Sequence, residues 1–173
     1  MTPPGTQTKV VLALGSNLGD RLANLQAGVD VLCAGPGLDD VVLSPVYETG
    51  PVGGPAQPDY LNAVLVARTS LLPRAVLDLG QAAEAALDRV RSERWGPRTL
   101  DVDVIVYGDQ ASADPDLTLP HPRAHERAFV LAPWHDVDPG AVLPGQGQIA
   151  DLLAAVGTAG IRLCPDARLR PAP

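Results

Sequence analysis

Residues 100–107, LDVDVIVY, constrain the fold more than any other stretch of the chain. Side chains two apart on a strand share a face, so Leu100, Val102, Val104 and Val106 are predicted on one side. Asp101 and Asp103 take the other, with Cβ atoms roughly 7 Å apart, twice the rise per residue. A strand with one apolar and one acidic side needs a sheet with its core on a single face. The rest of the chain supplies that sheet. KVVLALG at 9–15 reads as a buried strand. Leu18, Leu22, Leu25, Val29 and Leu32 then recur at steps of three and four, predicting a helix capped by Ser16 or Asn17 and ended by the AGPG at 34–37. VVLSPVYET at 41–49 is a second strand whose Pro45 marks an edge or a bulge. YLNAVLVAR at 60–68 is a third. Pro73 fits the first turn of a second helix, with Val76, Leu79, Ala83, Leu87 and Val90 as its buried stripe and Gln81, Glu84 and Asp88 on another face.

The order β-α-β-β-α-β predicts an α+β fold, a ferredoxin-like α/β sandwich in which an antiparallel sheet carries its helices on one face. The 173 residues suit a single domain, and 46% hydrophobic content is enough for a core. Further helices are expected from about His125 and about Ile149. We expect a flexible N-terminus over 1–8, the domain over 9–156 and a Pro-rich tail over 157–173. A formal charge of -7 and 3% aromatic residues speak against nucleic acid, base stacking or an anionic membrane as partners. No apolar leader core opens the chain and no run of 18 apolar residues follows, so a soluble cytoplasmic protein is expected. Cys33 and Cys164 lack metal-type spacing; separate thiols in a reducing compartment and one disulfide both fit them.

Two like charges on one strand face repel unless a cation lies between them, and carboxylates on a rigid strand suit Mg²⁺, a hard ion that takes its other ligands from phosphates and water. For a bare Asp-x-Asp, a solvated strand face that discourages aggregation is the better account. The preceding residues 89–98, RVRSERWGPR, tip the balance: Arg89, Arg91, Arg94 and Arg98 place four of 13 basic side chains in ten positions. Guanidinium forks match phosphate oxygens, so acids that hold a metal beside arginines that hold phosphates describe a metal–polyphosphate site. A solvated loop paired with Glu93 is the competing reading, but it has no need of Trp95, Gly96 and Pro97. GSNLGDR at 15–21 lacks the P-loop pattern, and Lys9 is the only lysine. No dinucleotide fingerprint follows a strand, and His121, His125 and His135 lack zincin spacing. Residues 49–58 hold three prolines and three glycines, which reads as a loop.

ERWGPRTLDVDV at 93–104 closely resembles the 6-hydroxymethyl-7,8-dihydropterin pyrophosphokinase family. GSNLGDR, QPDYLNAV at 57–64 and LTLPHPRAHERAFVLAP at 117–133 resemble its other signature blocks in the same order, so the likeness spans residue 10 to about 153. The resemblance implies a monomeric ferredoxin-like enzyme that binds ATP with magnesium and then a pterin alcohol, without nucleic acid or membrane. It implies Asp101 and Asp103 as ligands of two Mg²⁺ ions. Gln81, Glu84, Arg91, Trp95, Val104, Thr118, His121 and Arg127 would surround the nucleotide, and Arg89 and Arg98 would reach the phosphates during reaction. Thr49, the backbone near Val52, Tyr60, Asn62, Trp95 and Phe129 would hold the pterin. Residues 49–58 and 89–97 would be loops that close over the site. Asp116 departs from the pattern, because relatives often carry a basic nucleotide contact there. The arginine loop is also one residue shorter than in some relatives. A ligand-sensing module, a sheet-type nucleic-acid binder and a metal nuclease are the competing functions. Binding without turnover, filter binding, and Mg²⁺-dependent cleavage without pterin are their respective signs.

Overall fold

The computed structural model describes residues 6–50, 56–87 and 99–171. Strand β1 (Thr8–Ser16) leads into helix α1 (Arg21–Cys33), and β2 (Asp39–Leu43) and β3 (Tyr47–Thr49) precede the long β4 (Tyr60–Thr69). Helix α2 (Pro73–Ala86) then returns the chain to β5 (Asp101–Tyr107). The sheet runs β3–β4–β1–β5, with β2 also paired to β4, and the ladders are antiparallel. Thus β2 and β3 form one strand broken at Pro45, which cannot donate to a ladder. Ser44 repairs the gap: its hydroxyl accepts from the Val64 amide at 2.8 Å.

The cap of α1 differs from expectation. Asp20, not Ser16 or Asn17, accepts the Ala23 amide at 3.1 Å. β1 extends through Ser16, and both Ser16 and Asn17 are buried. Leu25, Val29 and Leu32 of α1 and Val76 and Ala83 of α2 pack on one sheet face with Leu12, Leu14, Leu61, Ala63, Leu65, Leu100, Val102 and Val104. Leu18, by contrast, is exposed. Glu84 leaves its expected polar face and is buried.

The helices do not stay on one face. After the hairpin β6 (Ser112–Asp114) and β7 (Leu117–Leu119) and a short turn of helix at Ala124–Glu126 comes α3 (Ala128–Val137). The small pair β8 (Val142–Leu143) and β9 (Gly147–Gln148) leads to α4 (Ile149–Val156). Val130, Leu131, Trp134 and Ile149 pack on the opposite sheet face against Val11, Val64, Ile105 and Val106. Val106 therefore lies with the second core and not with Val102 and Val104. A bulge between Val11 and Leu12 pairs Leu12 with Val104 and Val11 with Val106, so Ile105 is an extra residue that resets the alternation. Strand β10 (Ile161–Leu163) falls within residues 157–173 and pairs with β3, adding an edge to the sheet. Cys164, Ala167 and Leu169 beyond it pack against the first core. Cys33 and Cys164 are free thiols.

Candidate active site

Asp101 pairs across the sheet with Gly15, which pairs in turn with Asn62, which pairs with Tyr47. Residues directly opposite in a ladder share a face, so this row presents a carboxylate, a gap and an amide side by side. The gap is Gly15: with strands about 4.8 Å apart, the Asp101 and Asn62 backbones stand roughly 10 Å apart across it, and Asn62 and the Tyr60 ring lean over it. Asp103, two pairs along the ladder and so on the same face, lies opposite Ala13, another small side chain. The two aspartates thus project from the α3 side of β5, while Leu100, Val102 and Val104 anchor that strand in the opposite core.

Arg127, at the start of α3, faces the pair. Burial pulls its guanidinium below its usual range, Asp103 pushes back most strongly, and Arg123, Glu126 and Asp101 contribute lesser effects. Its guanidinium carbon stands 5.5 Å from the centre of the Phe129 ring, within cation–π range. His121 donates its backbone amide to Ile105 at 2.8 Å, and its Nδ1 accepts the Arg123 amide at 3.2 Å. Burial first, then the charges of Arg127 and Arg123, pushes the His121 imidazole down to about 4, so it is neutral near pH 7.

Thr49 pairs with Tyr60 across β3 and β4. A cavity of about 420 Å³ is bounded by Thr49, Arg127, Phe129, Gly157, Gly160 and Ile161. Thr49 is fixed there by donating from Oγ1 to the Gly160 carbonyl at 3.1 Å. Asn62 is buried, and its Nδ2 has no hydrogen-bond partner among the described residues. An unmet buried amide donor is costly unless a ligand meets it.

Other expected contacts stand apart from this cluster. Val104 has a buried side chain in the far core, so only its backbone can meet a ligand. Gln81 is exposed on α2, the helix packed on the face opposite the aspartates. Glu84 of the same helix reaches β5 through the outer edge, its Oε1 accepting the Val102 amide at 2.9 Å. The Thr118 hydroxyl donates to the Asp114 carbonyl at 3.0 Å in the β6–β7 hairpin. Asp116 lies at that hairpin's turn with its carboxylate 3.8 Å from Arg74. Val52, Arg89, Arg91, Trp95 and Arg98 lie outside the described residues. Sequence reasoning did not single out Arg123, which hydrogen-bonds Glu126 at 2.7 Å and lines the cavity beside Arg127. Its one signal was its place in the HPRAHER run.

Asp101 and Asp103 are hard oxygen donors on one rigid face. That donor set fits a cation that takes two carboxylates and draws its remaining ligands from phosphates and water. Among the described residues there is no cluster of three or more metal-ligating side chains. No helix among them is long and apolar enough to cross a membrane.

Carboxylates beside a cationic helix start and an unmet amide, on a ferredoxin-like sheet, make a site suited to a metal-bound polyphosphate next to a hydrogen-bonding ligand. A model of the 7,8-dihydro-6-hydroxymethylpterin-pyrophosphokinase (HPPK) family matches residues 11–139. A 2-amino-4-hydroxy-6-hydroxymethyldihydropteridine pyrophosphokinase of Methylorubrum extorquens is 42% identical over 154 residues, 89% of this chain and 97% of that one. The enzyme of the same name from Mycobacterium tuberculosis is 47% identical over 152 residues, 81% of this chain and 78% of its own. Among solved structures, wild-type Plasmodium falciparum HPPK-DHPS with pterin and p-hydroxybenzoate gives a TM-score of 0.65 at 13% identity, covering 90% of this chain and 42% of that one. An HPPK-DHPS in complex with substrates gives 0.68 at 11%, covering 91% and 46%. The chain spans less than half of those longer proteins, and such identities speak to the fold alone. The chain belongs to the 7,8-dihydro-6-hydroxymethylpterin-pyrophosphokinase family.

Proposed function

We propose that the trough over Gly15 is where the chain joins its two substrates, with Asp101 and Asp103 on the nucleotide side and Asn62, Tyr60, Thr49 and Phe129 on the pterin side. The reaction is pyrophosphoryl transfer to the hydroxymethyl group of 6-hydroxymethyl-7,8-dihydropterin, a step of folate biosynthesis. ATP is the donor. The observation that carries the placement is the ladder row Asp101–Gly15–Asn62, which sets an acid pair and a buried amide donor on either side of a residue with no side chain.

The pterin's hydroxymethyl oxygen attacks the β-phosphorus in line. The new O–P bond forms as the bond to the α-phosphate's bridging oxygen breaks, the hydroxyl proton is lost, and AMP leaves. Bound at Asp101 and Asp103, two Mg²⁺ ions would supply Lewis-acid neutralisation of charge on the bridging and leaving oxygens. Arg127 brings a permanent cation to the phosphate side, supported by the aspartates in whose field it lies. His121, neutral, offers hydrogen bonding and no charge. The Asn62 amide can donate to a carbonyl or ring nitrogen of the pterin, while Phe129 and Tyr60 offer apolar ring faces. Arg89, Arg91, Arg98 and Trp95, with Gln81, Glu84, Thr118 and the Val104 backbone, complete the proposed nucleotide surround. Trp95 and the backbone at Val52 complete that of the pterin. Little covalent work falls to the protein, so positioning and charge account for the rate. We also propose that the enzyme acts in the cytoplasm as a monomer, a reading supported by its acidic charge, its two free thiols and the resemblance described above.

The test is to incubate the protein with ATP, Mg²⁺ and the reduced pterin and to resolve the nucleotides by chromatography. AMP formed one for one with pterin diphosphate is expected. ADP as the main product, or nucleotide consumption indifferent to pterin, overturns the proposal.

A further inference from the structure

The GSNLGDR block at residues 15–21 has so far contributed only Gly15 to the site, yet two of its polar side chains, Asn17 and Arg21, converge on one target. Asn17 is buried, and its Nδ2 donates to the Gln57 side-chain oxygen at 2.8 Å and the Pro58 carbonyl at 3.0 Å. Arg21, the first residue of α1, uses a single guanidinium nitrogen to reach the Glu48 carboxylate at 2.7 Å and the Asp59 carbonyl at 2.9 Å. Glu48 immediately precedes Thr49, and Asp59 immediately precedes Tyr60. Arg21 therefore ties together the residues just before the paired Thr49 and Tyr60. Glu48 is held from its other side by Arg162 of β10. Gly15 completes the set: a Cβ there would lie 3.2 Å from Asn62 Oδ1 and 3.3 Å from the Tyr60 ring.

None of these contacts serves the apolar stripe by which α1 packs on the sheet, which is formed by Leu25, Val29 and Leu32. They end on backbone and side chains flanking Thr49, Tyr60 and Asn62. We propose that Gly15, Asn17 and Arg21 are positioning residues for the pterin wall. Arg21 and Asn17 fix the backbone that carries Thr49 and Tyr60, and the missing side chain of Gly15 leaves the Asn62 amide and the Tyr60 ring in place to meet a planar, hydrogen-bonding heterocycle. This rests on the assignment of Thr49, Tyr60 and Asn62 to the pterin.

The experiment titrates fluorescent 6-hydroxymethylpterin into protein saturated with Mg²⁺ and α,β-methylene-ATP, and measures the affinity for that nucleotide separately. For Arg21→Ala and Asn17→Ala the pterin Kd should rise about tenfold or more, with the nucleotide Kd within about twofold of wild type, because loosening a contact shell by an ångström removes orientation from one ligand only. Arg21→Lys keeps a charged donor but on a shorter stem with a differently placed nitrogen, and its loss should be intermediate. Gly15→Ala should weaken the pterin likewise. Asn62→Ala is the reference: if it leaves pterin affinity intact, the pterin assignment itself fails. If Asn62→Ala weakens pterin while Arg21→Ala and Asn17→Ala do not, or if pterin and nucleotide affinities fall in parallel, the positioning role is overturned and the pterin assignment stands. Should Arg21→Ala fail to fold, Arg21→Lys carries the same comparison.

Discussion

At the scale of single residues, Asp101 and Asp103 are tolerable on a strand because Leu100, Val102 and Val104 hold that strand from behind and because Arg127 lies in their field. Replacing either aspartate by alanine should lower kcat by roughly 10²-fold or more, the scale of a lost charge-stabilising contact. Pterin affinity should stay near wild type, so AMP formation and pterin titration together check it. His121 gives a prediction in pH. Its folded value of about 4 lies below the ordinary 6.5 of a free imidazole, chiefly through burial. Between those values the unfolded chain binds a proton that the folded chain refuses, so stability falls as the pH drops from about 6.5 toward about 4. His121→Gln should flatten that slope in urea unfolding measured across the window. An equal slope in both proteins would contradict the assignment.

At the scale of elements, β5 is the sheet's outer strand, and its exposed edge is managed by a helix. Glu84 of α2 accepts the edge amide of Val102, the residue between the aspartates. Glu84→Ala leaves that donor unmet and should cost about 1–3 kcal/mol in chemical unfolding. Glu84→Gln keeps an acceptor and should recover most of it. Here the sequence was only partly legible. Periodicity located α1, α2, β1, β4 and β5, because apolar stripes record which side of an element is buried. It placed Glu84 with Gln81 on a polar face, because spacing cannot tell a solvated acid from one that caps a neighbouring strand. It carried Val106 onto the wrong face, because a bulge adds a residue without any mark in the local pattern. It put the α1 cap at Ser16 or Asn17, because the length of β1 is decided by its partners and not by its own residues. In the site, the shared face of the aspartates was legible from alternation, whereas Thr49, Tyr60, Asn62 and Phe129 were named through the family resemblance alone. The contacts of Asn17 and Arg21 join distant segments and left no periodic trace, and Arg123 enters the site only because Thr49, Gly157, Gly160 and Ile161 fold up to line the same cavity.

At the scale of the whole molecule, residues beyond 156 are part of the architecture. β10 covers the β3 edge, the Gln26 side chain both donates to and accepts from the Arg170 backbone, at 2.8 and 2.9 Å, and Cys164, Ala167 and Leu169 lie against the core. Ending the chain at Gly157 should lower stability by roughly 2–4 kcal/mol, the worth of a few partly buried apolar side chains. It would also leave β3 open to pairing with other molecules. Thermal melts and sedimentation would register both; an unchanged melting temperature would show the segment to be dispensable. One property of β5 reaches further. Its odd-numbered carboxylates line the candidate site and its even-numbered aliphatics fill the core, so the two are interleaved on the same five residues from Leu100 to Val104. Slipping that stretch by a single residue against β1 would invert both sets together, driving acids inward and valines into solvent. No intermediate phenotype, folded but inactive or active but fragile, is open to such a change.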